Sequence, residues 1–203
     1  MNRHPSSRQL GVTLPELLIT MTVLAIIVVV AIPGLNGFIV SSRLTGQSNE
    51  VLAGLNLARA EAIRRNQRVI FCPVAVANGV PTVTGCVNPG AGDWAGWMAF
   101  ADINRSGTFD GADVVVRAGV VGGPDTAVRA SPGLSGVSNI VDFRPDGVAR
   151  AHGTTNIQRV ALRFCDTSGA VQTNVRDVSL TFGSRMSIAR GTNSTCASPS
   201  DPT

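Results

Sequence analysis

Lysine and tyrosine are absent from this chain, and aromatic residues make up only 4% of it. Every basic side chain is therefore an arginine. Histidine is almost missing too. His4 lies near the amino terminus, and His152 falls in an expected turn or strand edge, where an imidazole is ordinarily a surface residue. No G-x-S-x-G, H-E-x-x-H or P-loop phrase occurs, and no nucleophile stands beside a base in a recognisable pattern. The chain is expected not to be an enzyme. Its four cysteines, Cys72, Cys86, Cys165 and Cys196, form no C-x-x-C and lie far in sequence from both histidines. Zinc is not expected on that spacing, and no cofactor is expected, apart from one calcium candidate described below.

An excess of either charge is also lacking. The 17 basic and 13 acidic residues leave a net charge of +4. Arg3 and Arg8 fall in a segment expected to be removed, which leaves 15 against 13, or +2. So small an excess is compatible with nucleic acid or anionic lipid but points to neither. A length of 203 residues suits one ordinary domain plus an appendage.

The appendage is at the amino terminus. Residues 1–11 are short and polar and end at Gly11; an apolar run follows from Leu17 to Ile32. A secretory signal is cut after its apolar run, near small residues. Here the glycine precedes the run, so cleavage at Gly11 would leave the apolar segment on the mature chain. Residues 12–35 are long enough to span a bilayer of about 30 Å at about 1.5 Å per residue. Glu16 interrupts them, and a carboxylate in such a run costs about 2.5–3.5 kcal/mol on insertion scales, which marks it as functional. In a filament, the Glu16 carboxylate of one subunit would neutralise the new Val12 amino terminus of a neighbour.

The stretch Gly11-Val12-Thr13-Leu14-Pro15-Glu16-Leu17-Leu18-Ile19 resembles the type IV prepilin motif, with Val12 where Phe is commonest. The resemblance implies that prepilin peptidase cuts between Gly11 and Val12 and methylates the new amino group of Val12. Pro33 falls where pilins often carry a helix-kinking proline. It removes a helix hydrogen bond, and Gly34 beside it weakens the helix further.

Residues 36–66 are expected to continue as an amphipathic stem helix. Val51, Leu55, Ala58 and Ala62 recur at helical spacing, Leu52 and Ile63 widen the stripe, and charged residues fall mostly elsewhere. Residues 67–203 turn to short β-like runs separated by Gly, Pro, Asn and Asp: 68–76, 97–102, 114–118, 140–144, 159–166 and 177–182. The segment 124–138, rich in Gly, Ser and Pro, is expected to be a loop. The fold class is α+β. If the body is exported, the cysteines are expected to be oxidised. Of the three pairings that four cysteines allow, neighbours in sequence are expected to join, Cys72 with Cys86 and Cys165 with Cys196; the second bond would tie down the tail.

Ala58-Arg59-Ala60-Glu61-Ala62-Ile63-Arg64-Arg65-Asn66, the phrase from Trp94 through Gly96, Trp97, Phe100 and Asp102 to Asn104, and Phe164-Cys165-Asp166 resemble the FimT/FimU/GspH family of minor pilins and pseudopilins. That resemblance implies a long helix packed on two small antiparallel sheets. It also implies a minor type IV pilin that joins the tip or initiation complex and supports pilus assembly, twitching motility or adhesion. Its partners would be other minor pilins, the major pilin and prepilin peptidase. The protein would sit in the bacterial inner membrane as a single-pass subunit with a periplasmic body, and would be extracellular once assembled. Two alternatives share the same amino terminus: the H-type pseudopilin of a type II secretion system, and a DNA-binding minor pilin for natural transformation.

Two constellations could bind ligands. Asp102, Asn104, Ser106, Asp110 and Asp113 occupy positions one, three, five, nine and twelve of a calcium-type loop, with Gly107 at six. The last ligand is Asp rather than Glu, and no flanking helices are expected; the plain alternative is a loop between two strands. In the tail, Arg185 and Arg190 lie where FimT-like DNA-uptake pilins carry Gly-Arg-x-Arg. Here Ser184 intervenes and Ser187 replaces the second arginine, so only a loose phosphate contact is implied. Trp94 and Trp97 are expected in the core rather than stacked on bases.

Overall fold

The computed structural model describes residues 11–203, with the side chains of 30–34 outside that description. The leader peptide up to Gln9 and Leu10, and the Pro33 side chain expected to cause a kink, therefore lie outside the described residues. The chain divides into two units, one ending at Ile39 and one running from Val40 to Thr203.

One helix, α1 (Leu14–Arg65), runs through both. It begins where the Thr13 carbonyl accepts the Leu17 N–H at 3.1 Å. Pro15 is tolerated because first-turn N–H groups have no intrahelical partner. Glu16 in the first turn and Arg64 and Arg65 in the last complement the helix dipole. Asn66, at φ 51°, takes the left-handed conformation that ends the helix.

From Leu14 to Val29 α1 is almost wholly apolar and every residue is exposed. In the second unit it buries Leu44, Ser48, Val51, Leu55, Ala58 and Ala62, spaced four, three, four, three and four apart. The expected stripe is present and extends by two positions toward the amino terminus. Leu52 packs against the core at its margin, whereas Ile63 is 52% exposed.

The body has strands β1 (Arg68–Val74), β2 (Val76–Ala77), β3 (Val80–Pro81), β4 (Gly96–Asp102), β5 (Val114–Val120) and β6 (Thr126–Ala130). A short helix α2 (Pro132–Ser135) precedes β7 (Val141–Phe143), β8 (Ala149–Ala151), β9 (Val160–Asp166), β10 (Val175–Thr181) and β11 (Arg185–Gly191). A five-stranded sheet has the order β5-β4-β1-β7-β8 and a four-stranded sheet the order β11-β10-β9-β6, while β2 and β3 form a small hairpin. Every pairing is antiparallel.

The main core lies between α1 and the inner faces of both sheets, where Phe71 stacks on Trp97 at 4.9 Å. Trp94 and Trp97 are both buried. A second cluster of Ile70, Cys72, Val74, Met98, Phe100 and Ile140 fills the outer face of the five-stranded sheet, with Cys86 and Phe109 packed over it. Both faces of β1 and β4 are thus covered, so these strands read as continuous apolar runs rather than alternating ones. Disulfides join Cys72 to Cys86 and Cys165 to Cys196. The second holds the carboxyl-terminal segment, which Asp201 also fixes by accepting the Gly133 N–H at 3.0 Å.

The segment 124–138 differs from its expected loop. It contains β6, whose pairing with β9 supplies the hydrogen bonds that Thr126-Ala127-Val128-Arg129-Ala130 cannot signal by composition. Within the tail phrase, residues 185–191 form a full edge strand on β10.

Candidate functional site

The first candidate is the start of α1. Val12 is 70% exposed and Leu14 74%, and Leu17, Leu18, Ile19, Met21, Val23, Leu24 and Ile26–Val29 are all exposed. The Thr20 hydroxyl donates to the Leu17 carbonyl at 2.9 Å, and Thr22 to Leu18 at 2.8 Å. These hydroxyls are satisfied inside their own helix, so they present methyl groups rather than unpaired donors. Glu16 is the only ionisable side chain between Gly11 and Arg43. The result is an apolar rod with one carboxylate, four residues after Val12. Among the described residues no helix is long and apolar enough to cross a membrane; the apolar sequence continues into 30–34, whose side chains are not described.

The second candidate is the loop after β4. Asp102 is fully buried and bonded to Arg68 through Nε at 2.8 Å and through Nη2. It also accepts the backbone N–H groups of Ser106 and Gly107, each at 3.0 Å. Asn104 Nδ2 donates to Asp110 at 2.7 Å, and Asp113 accepts the N–H groups of Ile103 and Asp110. The Asn104 bond, then the Ala112 N–H, holds the Asp110 carboxyl below its ordinary range. The five calcium-candidate residues are therefore gathered in one loop, but their oxygens face donors of the loop and Arg68. Among the described residues no group of three or more His, Cys, Asp or Glu is placed to hold a metal ion.

The third is the tail. Arg185 pairs with Thr181 across the β10–β11 ladder, and Arg190 with Arg176. Five residues apart on a strand of period two, Arg185 and Arg190 point to opposite faces. Arg190 shares the face of Arg176, Val178 and Leu180, and Arg185 the other. The two do not converge on one surface.

Two charged features escaped the sequence reading. Arg176 is 1% exposed. It donates to the carbonyls of Thr173 and Val175 at 2.8 Å and to the hydroxyls of Ser41 at 3.2 Å and Thr45 at 3.4 Å on α1. Burial, and Arg190 across the ladder, lower its pKa. The other is Asp142 on β7, fully buried, with Arg144 at 3.4 Å, Arg68 at 3.6 Å and His152 at 3.7 Å. Neither Asp142 oxygen has a hydrogen-bond partner. Burial pushes the Asp142 carboxyl above its ordinary range, against the pull of Arg144, Arg68 and His152. His152, expected at the surface, is half-buried beside this carboxylate. Arg68, Asp102 and Asp142 lie on the neighbouring strands β1, β4 and β7, with Arg144 and His152 just after β7 and β8, and no local sequence signal marks the cluster.

The family profile of type II transport protein GspH matches residues 47–184. The chain belongs to the GspH family. A prokaryotic N-terminal methylation motif matches residues 6–32, the segment holding Gly11, Val12 and Glu16. The crystal structure of the type IV minor pilin FimU of Pseudomonas aeruginosa PAO1, in space group P21, is similar to this GspH-family chain at 15% identity. It aligns with a TM-score of 0.50 over 79% of this chain and 96% of that one. A second FimU crystal form, P65, gives 0.47 at 15% identity over 77% and 98%. The first likeness is one of fold: an amino-terminal helix followed by an antiparallel body. No curated protein sequence matches the chain. As a GspH-family protein it is a structural subunit of the pilin and pseudopilin class, not an enzyme, and it interacts with other pilins in a pilus or pseudopilus. Its methylation motif implies processing by the peptidase, and proteins of this type are membrane-anchored or pilus-associated.

Proposed function

We propose that this protein is a minor type IV pilin. Prepilin peptidase cuts it between Gly11 and Val12 and methylates Val12. The mature subunit waits in the inner membrane, anchored by residues 12–35 with its body in the periplasm. It then joins the tip or initiation complex, beside other minor pilins and the major pilin, and supports assembly, twitching or adhesion. One observation carries what a pilus subunit and a pseudopilus subunit share: the exposed apolar stretch from Val12 to Val29, whose lone carboxylate, Glu16, lies four residues from the new amino terminus. In an apolar surround a carboxylate and an ammonium on neighbouring subunits attract far more strongly than in water.

A second reading has its own support. The matching family is described as type II transport protein GspH, which favours a pseudopilus subunit of a secretion system. Both readings use the same helix contact. Deleting the gene separates them: loss of surface pili and twitching with normal protein secretion supports the pilus, and the reverse pattern supports the pseudopilus. The shared contact is tested by Glu16→Ala, which should be processed yet poorly incorporated; wild-type incorporation would refute it.

A further inference from the structure

At the end of the stem helix a cleft of about 160 Å³ is lined by Asn66, Gln67, Arg68, Arg105, Arg144 and Pro145. Three arginines line it from three separate segments: the first residue of β1, the loop after β4 and the residue following β7. Arg68 and Arg144 rest on the buried carboxylates of Asp102 and Asp142. Donors remain unused. Arg144 Nε is buried and has no hydrogen-bond partner. Arg105 is exposed, in a loop where its backbone is left-handed at φ 60°. A buried donor without an acceptor is costly, and a guanidinium offers a planar fork that fits two oxygens at once.

We propose that this cleft is a binding site for a single carboxylate group. A guanidinium fork matches the two coplanar oxygens of one carboxylate. The volume suits one small planar group rather than a run of nucleic-acid backbone. Under the filament reading the carboxylate belongs to an acidic side chain of an adjoining subunit, and that clause alone rests on that reading.

The test uses the full chain in detergent micelles with sodium acetate replacing chloride at constant ionic strength and pH 7. Acetate should raise the unfolding midpoint followed by tryptophan fluorescence, by about 3–6 °C at tenfold excess over its Kd. It should also shift the Arg144 Nε–H NMR signal saturably. Arg105→Gln, at an exposed loop position, should keep the chloride midpoint and weaken acetate about tenfold. No saturable shift, or an equal shift in Arg105→Gln, would overturn the site. Tighter binding of inorganic phosphate than of acetate would overturn the carboxylate assignment. Acetate binding requires no assembly, so its failure leaves the filament reading standing. Normal acetate binding by a chain that never enters filaments would count against the filament reading alone.

Discussion

Two glycines of the same helix should respond to alanine with opposite signs. A Cβ on Gly54 would lie 2.5 Å from Trp97 Cη2 and 2.7 Å from Cζ3, whereas a Cβ on Gly46 meets nothing within 4 Å. Ordinary carbon contacts sit at about 3.5–4.0 Å, so Gly54→Ala demands a displacement of about 1 Å. Trp97 has little room to yield. It is fully buried, stacked on Phe71 at 4.9 Å, and a Cβ on Gly119 would lie only 2.8 Å from its Nε1. Overpacking of this kind costs about 1–3 kcal/mol, and the helix gains back at most about 1 kcal/mol on losing a glycine. The net is a loss of up to about 2 kcal/mol, or up to about 8 °C in the unfolding midpoint for a chain of this size. Gly46→Ala keeps the propensity gain without the clash and should stabilise by about 0.5–1 kcal/mol. Both tryptophans lie in the body, so thermal unfolding followed by their fluorescence reports on the relevant unit. A Gly54→Ala protein as stable as Gly46→Ala would refute the close approach of helix and indole.

Gly11→Ala should leave full-length precursor on immunoblots, and processing at the wild-type rate would contradict the cleavage site. Replacing both Cys165 and Cys196 by serine opens a bond that spans 31 residues; the expected loss is about 3–4 kcal/mol in the chain-entropy account, read as a lower urea midpoint. Burial raises the Asp142 pKa in the folded state, so the stability tied to its protonated form is full below the unfolded pKa and is lost as pH rises through the folded one. Asp142→Asn should therefore equal or exceed the wild type at pH 7, with the gap narrowing toward pH 4; strong destabilisation at pH 7 would show that the ionised form is favoured. Glu61 is the opposite case: hydrogen bonds from Arg64 and Arg65 hold its carboxyl at about 2. Its contribution is present above the unfolded pKa and fades as pH falls toward 2, and an NMR titration midpoint near 4.5 would refute the pairing.

The sequence carried the helix well because Val51, Leu55, Ala58 and Ala62 repeat with a local period that needs no knowledge of the partner. The strand ends at 102 and 166 were legible from Asp residues that stop apolar runs. β6 was not legible, since five small and mixed residues become a strand only when β9 supplies the ladder. The Asp142 cluster was hidden for a related reason. Arg68, Asp102 and Asp142 are far apart in sequence, and only the order β4-β1-β7 sets their side chains on one face. The calcium-type spacing is the reverse case. The residues stand at suitable intervals, but the intervals do not reveal that Arg68 reaches Asp102 from the next strand. Similarly, the tail arginines look like a pair in the linear sequence, and strand parity sends them to opposite faces.

The self-contained threonine bonds of α1 bear on what drives assembly. With Thr20 and Thr22 donating to their own helix, the rod offers lipid tails and neighbouring helices much the same surface. On the proposed pilin reading, moving it from a bilayer into a bundle of similar rods takes almost no apolar area out of water, so the hydrophobic effect gives that transfer little direction. Direction must come from what differs between the two surroundings: close packing, and a counter-charge for Glu16 that lipid tails do not provide. On that reading the helix is nearly indifferent to leaving the membrane, and close packing together with a counter-charge for Glu16 decides where it goes.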